Sequence, residues 1–185
     1  MSSLRFFLAV NLPDKVKDKI TPFVQPLRYK FKNVRWVSPV NQHLTLKFYG
    51  NVEEEEINKL SDDIRKGVKG FGKFEISFGH FGYLGSKISP RVILIGVDKG
   101  KEELAELNNV IEEISEVYGF EREKREFFPH LTIGRCKKRT DGIVETLEKM
   151  DNSPVAFFEA EMLSFFSSDL TPDGPVYTKL YDAIL

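Results

Sequence analysis

The sequence predicts an α+β fold made from one unit written twice, with two antiparallel sheets facing a central cleft, helices outside and a pseudo-twofold axis relating the halves. Three observations carry this expectation. The phrase "HLTLKF", starting at His43, returns as "HLTIGR" at His130, 87 residues later, in a chain with only three histidines. At the same offset the apolar run "FFLAV" (Phe6 to Val10) falls on "ILIGV" (Ile93 to Val97), and both runs read as strands. The helical pattern "DKVKDKITPFVQPLRYKF" falls in turn on "KEELAELNNVIEEISEVY". Self-similarity of this kind marks a duplicated supersecondary unit, and mixed strands and helices of this order pack as an α+β domain.

Taken in order, each half reads strand, helix, basic stretch and histidine strand. Pro22 and Pro26 are expected to bend or split the first helix. A charged helical segment follows each histidine strand, "EEEEINKLSDDIRKGV" in one half and "DGIVETLEKM" in the other. The run Glu53 to Glu56 opens the first of these, where carboxylates favour the N-terminal end of the helix dipole. Each half then ends in a Phe-rich strand pattern, "FEISFGHFGYL" (Phe74 to Leu84) and "FEAEMLSFFSS" (Phe158 to Ser168), the second match needing an offset of 84. The chain is therefore one bilobal domain with repeats at residues 4–84 and 91–168 and a C-terminal segment at 169–185. The turn-forming stretch "GSKISPR" (Gly85 to Arg91) is the expected link between halves.

Composition narrows the function classes. With 41% hydrophobic and 30% charged residues and 16 Phe, the chain is a folded soluble protein rather than a disordered or fibrous one. No apolar run approaches the roughly 20 residues that span a bilayer. The N-terminus reads as a strand rather than a signal peptide, so a cytoplasmic protein without a membrane partner is expected. Cys136, the single cysteine, excludes an internal disulfide. Net charge of −1 lacks the basic excess of proteins that grip long nucleic acid through many phosphates. Charge is nonetheless uneven, because Lys124 to Arg139 holds six Lys and Arg against Glu126 alone, so a local anionic partner fits.

Alternation along a strand sends His43, Thr45 and Lys47 to one face and Leu44, Leu46 and Phe48 to the core. In the second copy His130 and Thr132 share a face opposite Leu131 and Ile133, and Gly134 removes bulk where Lys47 stands. A lone histidine followed by threonine is more often structural than catalytic, and His80 in "FGHFGYL" is read as a packing residue. Packing alone has no need of the same polar pair at matching positions of a repeat. For a phosphodiester, in-line displacement needs a base on one side of phosphorus and an acid on the other, and two opposed imidazoles with ordinary pKa near 6.5 supply both at neutral pH. Thr45 and Thr132 would donate to the non-bridging oxygens, where charge builds. No metal or other cofactor is needed, and no third histidine or carboxylate accompanies either motif at metal-ligand spacing.

"HLTLKF" and "PHLTIGR" resemble the paired HxTx signatures of the two-histidine phosphoesterase superfamily. With "LRFFLAVNLP", "VRWVSPVNQHLTLKFYG", "PRVILIGV" and "GPVYTKLY", the chain is more narrowly similar to the RNA 2′,3′-cyclic phosphodiesterase (2′-5′ RNA ligase) family, from Leu4 to about Tyr181. The resemblance implies a bilobal α+β fold with the active site between lobes. It also implies opening of a terminal RNA 2′,3′-cyclic phosphate to a 2′-phosphomonoester, by a monomer whose partner is an RNA end or nucleotide carrying that group. His43 would be the proton donor to the departing 3′ oxygen and His130 the acceptor from water, with Thr45 and Thr132 binding phosphate. A pseudo-symmetric pair could exchange those roles.

Beyond these four residues the signals weaken. Lys47, Arg91 and Arg135 are candidates for flanking phosphates, with a solvated or structural role the alternative for each. Arg135 has core-face parity, a rule that relaxes at strand ends. Trp36 or Tyr49 could stack on a terminal base or pack the core. Joining of RNA ends through a 2′,5′ bond, opening of an ADP-ribose cyclic phosphate, and a non-catalytic module that holds a nucleotide or RNA end stay open, since all need the same cleft.

Overall fold

The computed structural model describes residues 3–151, 153–172 and 174–185. The first apolar run extends to β1 (Ser3–Asn11), which leads into α1 (Asp14–Lys30), the short β2 (Val34–Trp36) and the histidine strand β3 (His43–Glu53). Then come α2 (Glu54–Val68), β4 (Phe74–Ser86), β5 (Ser89–Val97), α3 (Lys101–Val117) and the second histidine strand β6 (His130–Cys136). The chain finishes with α4 (Ile143–Leu147), β7 (Ala156–Ala160), β8 (Met162–Thr171) and β9 (Gly174–Ile184).

All pairings are antiparallel and form two sheets, ordered β3-β1-β8-β9 and β2-β6-β5-β4-β7. Each sheet carries the same central run, histidine strand, apolar strand, Phe-rich strand, but the Phe-rich strand is exchanged. Strand β4 of the first half pairs beside β5 of the second, and β8 of the second beside β1 of the first. Two helices are exchanged as well, since α1 of the first half packs on the second sheet and α3 of the second half on the first, while α2 and α4 stay with the sheets of their own histidine strands. The two sheets approach one another along β3 and β6, so the exchange brings both histidine strands to the seam.

Two expectations need correction. Helix α1 runs unbroken through Pro22 and Pro26, because Val16, Ile20, Val24 and Leu27 form its buried stripe while both prolines lie on the exposed side. Carbonyls left without an N–H partner there face water, which costs less than burying them. The second Phe-rich pattern is not one strand. It breaks at Glu161 into β7, on the second sheet, and β8, on the first. The link between halves lies inside the turn-forming stretch, as a tight turn at Lys87–Ile88 in the β4–β5 hairpin, with Gly85 at φ 110° in the left-handed region beside it.

Candidate active site

The histidine strands share a feature that alternation alone does not reveal. Along β1 and β3, Leu8 pairs with Lys47 but Ala9 pairs with Thr45, so Leu46 is an extra residue in β3. Along β5 and β6, Leu94 pairs with Thr132 but Ile93 pairs with Gly134, so Ile133 is extra in β6. Both are β-bulges three residues after the histidine, and each reverses the faces of the residues beyond it. In β3 the bulged carbonyl of Leu46 is taken by the buried Asn108 side chain of α3 at 2.9 Å. The polar groups left by the bulge are thereby satisfied.

The reversal corrects two assignments. Lys47 turns away from the cleft into the interface with α3, where it pairs with buried Glu112 at 2.5 Å and with the Glu121 carbonyl at 3.2 Å. Phe48 takes the cleft face in its place, with the Arg5 guanidinium 4.6 Å above its ring. In β6 the same step turns Arg135 outward into the cleft, against its core parity. Gly134, on the back of the strand, makes room for Val34 and Trp36 of β2, which a β-carbon would crowd at 2.9 and 3.0 Å.

Both imidazoles are held alike. His43 Nδ1 lies 2.8 Å from the Asn41 carbonyl and His130 Nδ1 lies 2.8 Å from the Phe128 carbonyl, each two residues back in the chain. A carbonyl only accepts, so Nδ1 carries the proton and Nε2 is the free nitrogen in each neutral ring. The Asn41 side chain donates to the Pro175 carbonyl at 2.9 Å, fixing the turn that orients His43. His43 sits among Phe7, Phe166 and Tyr177, with ring centroids 5.0, 6.3 and 5.2 Å away. His130 stacks on Phe128 at 5.7 Å. Burial pushes the His43 pKa down to about 4, opposed by the Asn41 hydrogen bond and assisted by the charge of Arg135. Burial also lowers His130, again with Arg135 acting in the same direction. One guanidinium thus acts on both rings.

A cleft of about 700 Å³ lies at the seam, lined by His43, Thr45, Thr132, Arg135 and Trp36 among others. His130 opens β6 beside this lining, with Thr132 and Arg135 of its strand reaching in. Arg5 and Arg35 face the same space, and among the described residues no carboxylate lines it. Tyr177 stands between these charges: burial raises its phenol, and Arg135, Arg5 and Arg35 all act to lower it. The cleft is built for an anion, and its size suits a nucleotide.

Of the weaker candidates, Trp36 lines the cleft with its indole nitrogen bonded to the Phe31 carbonyl at 3.1 Å. Tyr49 packs with Phe6 and Phe120 and bonds Ser115 at 2.7 Å, so it belongs to the core. Arg91 is an exposed residue of β5 near the hairpin turn, outside the cleft lining. His80 is seated over Gly96 with its side chain 42% exposed and Nδ1 3.2 Å from Asp98, outside the cleft lining. Sequence reasoning missed Arg5, Arg35, Phe7, Phe48 and Tyr177. All five stand in stretches that carry the family resemblance, Arg5 and Phe7 in "LRFFLAVNLP", Arg35 and Phe48 in "VRWVSPVNQHLTLKFYG" and Tyr177 in "GPVYTKLY". The C-terminal segment, given no role, contributes Leu170, Thr171 and the run Gly174 to Tyr177 to the cleft wall.

Comparison with known proteins gives this geometry its context. An RNA 2′,3′-cyclic phosphodiesterase of Thermotoga maritima is 34% identical, over 97% of this chain and 94% of that protein. One of Archaeoglobus fulgidus is 34% identical over 96% and 98%. Among solved structures, TT0787 of Thermus thermophilus superposes with a TM-score of 0.81 at 25% identity, covering 98% of both chains. E. coli LigT in complex with 3′-AMP superposes with a TM-score of 0.77 at 23% identity, covering 100% of this chain and 99% of that one. The family model described as the 2′-5′ RNA ligase superfamily matches residues 16–171. The chain belongs to the 2′-5′ RNA ligase superfamily.

Proposed function

We propose that the protein is a phosphodiesterase that opens RNA 2′,3′-cyclic phosphate ends to 2′-phosphomonoesters with its two histidines as acid and base. The observation that carries this reading is the matched pair of rings, each with Nδ1 tied to a carbonyl and Nε2 free, beside one arginine-lined cleft that also receives Thr45 and Thr132. Water attacks phosphorus as the P–O3′ bond breaks. His130 takes the proton from water, and His43 gives one to the departing 3′ oxygen. Thr45, Thr132 and Arg135 hold the non-bridging oxygens, with Arg5 and Arg35 available to a neighbouring phosphate and Trp36 to a base.

A buried neutral His43 cannot serve as an acid until something charges it. The bound phosphate does this, since a negative group beside an imidazole favours its protonated form. Substrate binding therefore arms the acid, and an empty cleft stays discharged.

No helix among the described residues is long and apolar enough to cross a membrane. We read the protein as a cytoplasmic monomer whose partner is an RNA end or nucleotide bearing the cyclic group. The chain is one bilobal domain copied from a single unit at residues 4–84 and 91–168, with 169–185 added. Matching strand order, bulges and histidine tethers support the duplication.

The test is incubation with an oligonucleotide ending in a 2′,3′-cyclic phosphate, in excess EDTA, with identification of the monoester. A 2′-phosphate that disappears with His43→Ala and with His130→Ala is expected. An untouched substrate would leave a binding module as the better reading.

A further inference from the structure

The end of α1 runs into β2 through a stretch in which cations alternate with aromatic rings, "RYKFKNVRW" from Arg28 to Trp36. Phe31 is buried and anchors the turn, its carbonyl accepting from the Trp36 indole nitrogen at 3.1 Å. The rings on either side of it are Tyr29, 68% exposed, and Trp36, in the cleft lining. Around Tyr29 lies a second hollow, a groove of about 240 Å³ lined by Gln25, Arg28, Tyr29 and Lys32, with Lys32 Nζ 4.9 Å over the tyrosine ring. Lys32 of this groove and Arg35 of the cleft are three residues apart, so their Cα atoms stand within about 11 Å of each other. Strand β6 runs alongside. Arg135 lies directly across from Arg35, and the chain beyond it continues through exposed Lys137 and Lys138. Asn33 ties the two segments together, donating to the Arg139 carbonyl at 3.3 Å and the Thr140 hydroxyl at 2.9 Å.

These cations lack the partners that others have. Lys59, Lys66, Lys73, Lys87 and Lys99 each lie 3.1 Å or less from a carboxylate. Among the described residues Arg28, Lys32, Arg35, Arg135, Lys137 and Lys138 form no ion pair, and on this strip only Arg139 is held, by Asp141 at 2.6 Å. The basic residues that precede β6 differ, since Arg122, Lys124 and Arg125 alternate with Glu121, Glu123 and Glu126 and sum to no field. Arg28 and Lys30 stand in the last turn of α1, where cations also offset the helix dipole, but Lys32, Lys137 and Lys138 lie beyond the helix and have no such task. A cyclic phosphate closes the 3′ end of a strand, so every other nucleotide lies on its 5′ side and has to leave the cleft. Cations that track a backbone, interleaved with rings that stack bases, are what a single strand requires. We propose that the Tyr29 groove, with Lys137 and Lys138, is a second contact for RNA that holds nucleotides upstream of the cyclic end, so that the preferred substrate is a strand and not a free cyclic nucleotide. The inference rests on the reading given under Proposed function, whose chemistry it leaves unchanged.

The test sets two substrates against one preparation: adenosine 2′,3′-cyclic phosphate, which fills only the cleft, and an RNA of about eight nucleotides with the same cyclic end, which reaches the strip. Wild type should favour the oligonucleotide at least tenfold in kcat/KM at low salt, and the preference should shrink as salt rises. Replacing both Lys137→Ala and Lys138→Ala should lower the slope of that salt dependence, on logarithmic axes, by about 1.4, for two single-strand phosphate contacts at about 0.7 each. Tyr29→Ala should lower the preference about tenfold, the worth of one stacked base. In each variant the cyclic mononucleotide should be opened at the wild-type rate, which a merely structural role would not preserve. The proposal is overturned by a wild-type protein that opens the two substrates equally well at every salt concentration, and by variants that keep the full preference or slow both substrates together. A protein that opens neither substrate overturns the underlying reading and the proposal with it, a result seen before any variant is made.

Discussion

Strands β3 and β6 spell nearly the same phrase and present nearly the same front, yet beyond the bulge their backs differ. Toward the cleft each offers a histidine tethered to a carbonyl two residues earlier, a threonine, and a bulge that turns the next faces over. Behind β3 lies a polar seam, in which Asn108, Glu112 and Ser115 of α3 meet Leu46, Lys47 and Tyr49. Behind β6 the matching place holds Gly134 and the Trp36 ring. The difference arises from position in the sheet. β3 is an edge strand with a helix over it, whereas β6 is flanked by β2. The front is set by what the phosphate needs and the back by whatever covers it.

If the fronts are equivalent, His43→Ala and His130→Ala should each lower kcat/KM for cyclic-end opening by about 10²–10⁴-fold, and the double variant should be little worse than either. A single variant near wild-type rate would break the equivalence. The backs should fail differently. Glu112→Ala strands the Lys47 ammonium in the interior and should cost about 3–5 kcal/mol in urea unfolding, whereas replacing both partners by apolar residues of similar size should be close to neutral. Gly134→Ala, which overfills a packed site against Val34 and Trp36, should cost about 1–3 kcal/mol.

Titration sharpens the comparison further. By NMR, His43 of the free protein should titrate near 4 and move up when inorganic phosphate or a nucleotide 2′-monophosphate binds. The ordinary value is 6.5, so between pH 6.5 and about 4 the unfolded chain takes up a proton that the folded site refuses. Stability present above pH 6.5 should therefore be lost as pH falls through that window, and His43→Ala should flatten the loss. The smallest effect is expected from Arg135→Ala: a modest rise in the pKa of both histidines from one substitution, because the same guanidinium acts on each. A rise at only one ring would mean that the two fronts do not share a site.

The strands, and the faces that His43 shares with Thr45 and His130 with Thr132, were legible because these residues precede the bulges, where alternation still holds. The residues past each bulge were not. Reading "HLTLKF" with strict alternation puts Lys47 in the cleft, and nothing in those six residues contradicts it. Reading "HLTIGR" in the same way drives Arg135 into the core, an improbable home for a guanidinium, so the second copy carried the warning that the first lacked. Tyr177, Arg5 and Arg35 were missed for another reason, since they reach the site through strand pairings between distant segments. The prolines of α1 misled because a breaker on the exposed face is cheap, and the face could not be read from the residue alone.

The exchange of Phe-rich strands between the sheets has a mechanical consequence. A two-lobed protein joined by a linker can open and shut like a clamshell, but here the chain crosses between the two sheets four times, from β1 to β2, β2 to β3, β3 to β4 and β7 to β8. Widening the jaws would load all four crossings at once. The spacing of the two histidine strands is thus set by several connections together rather than by a single hinge.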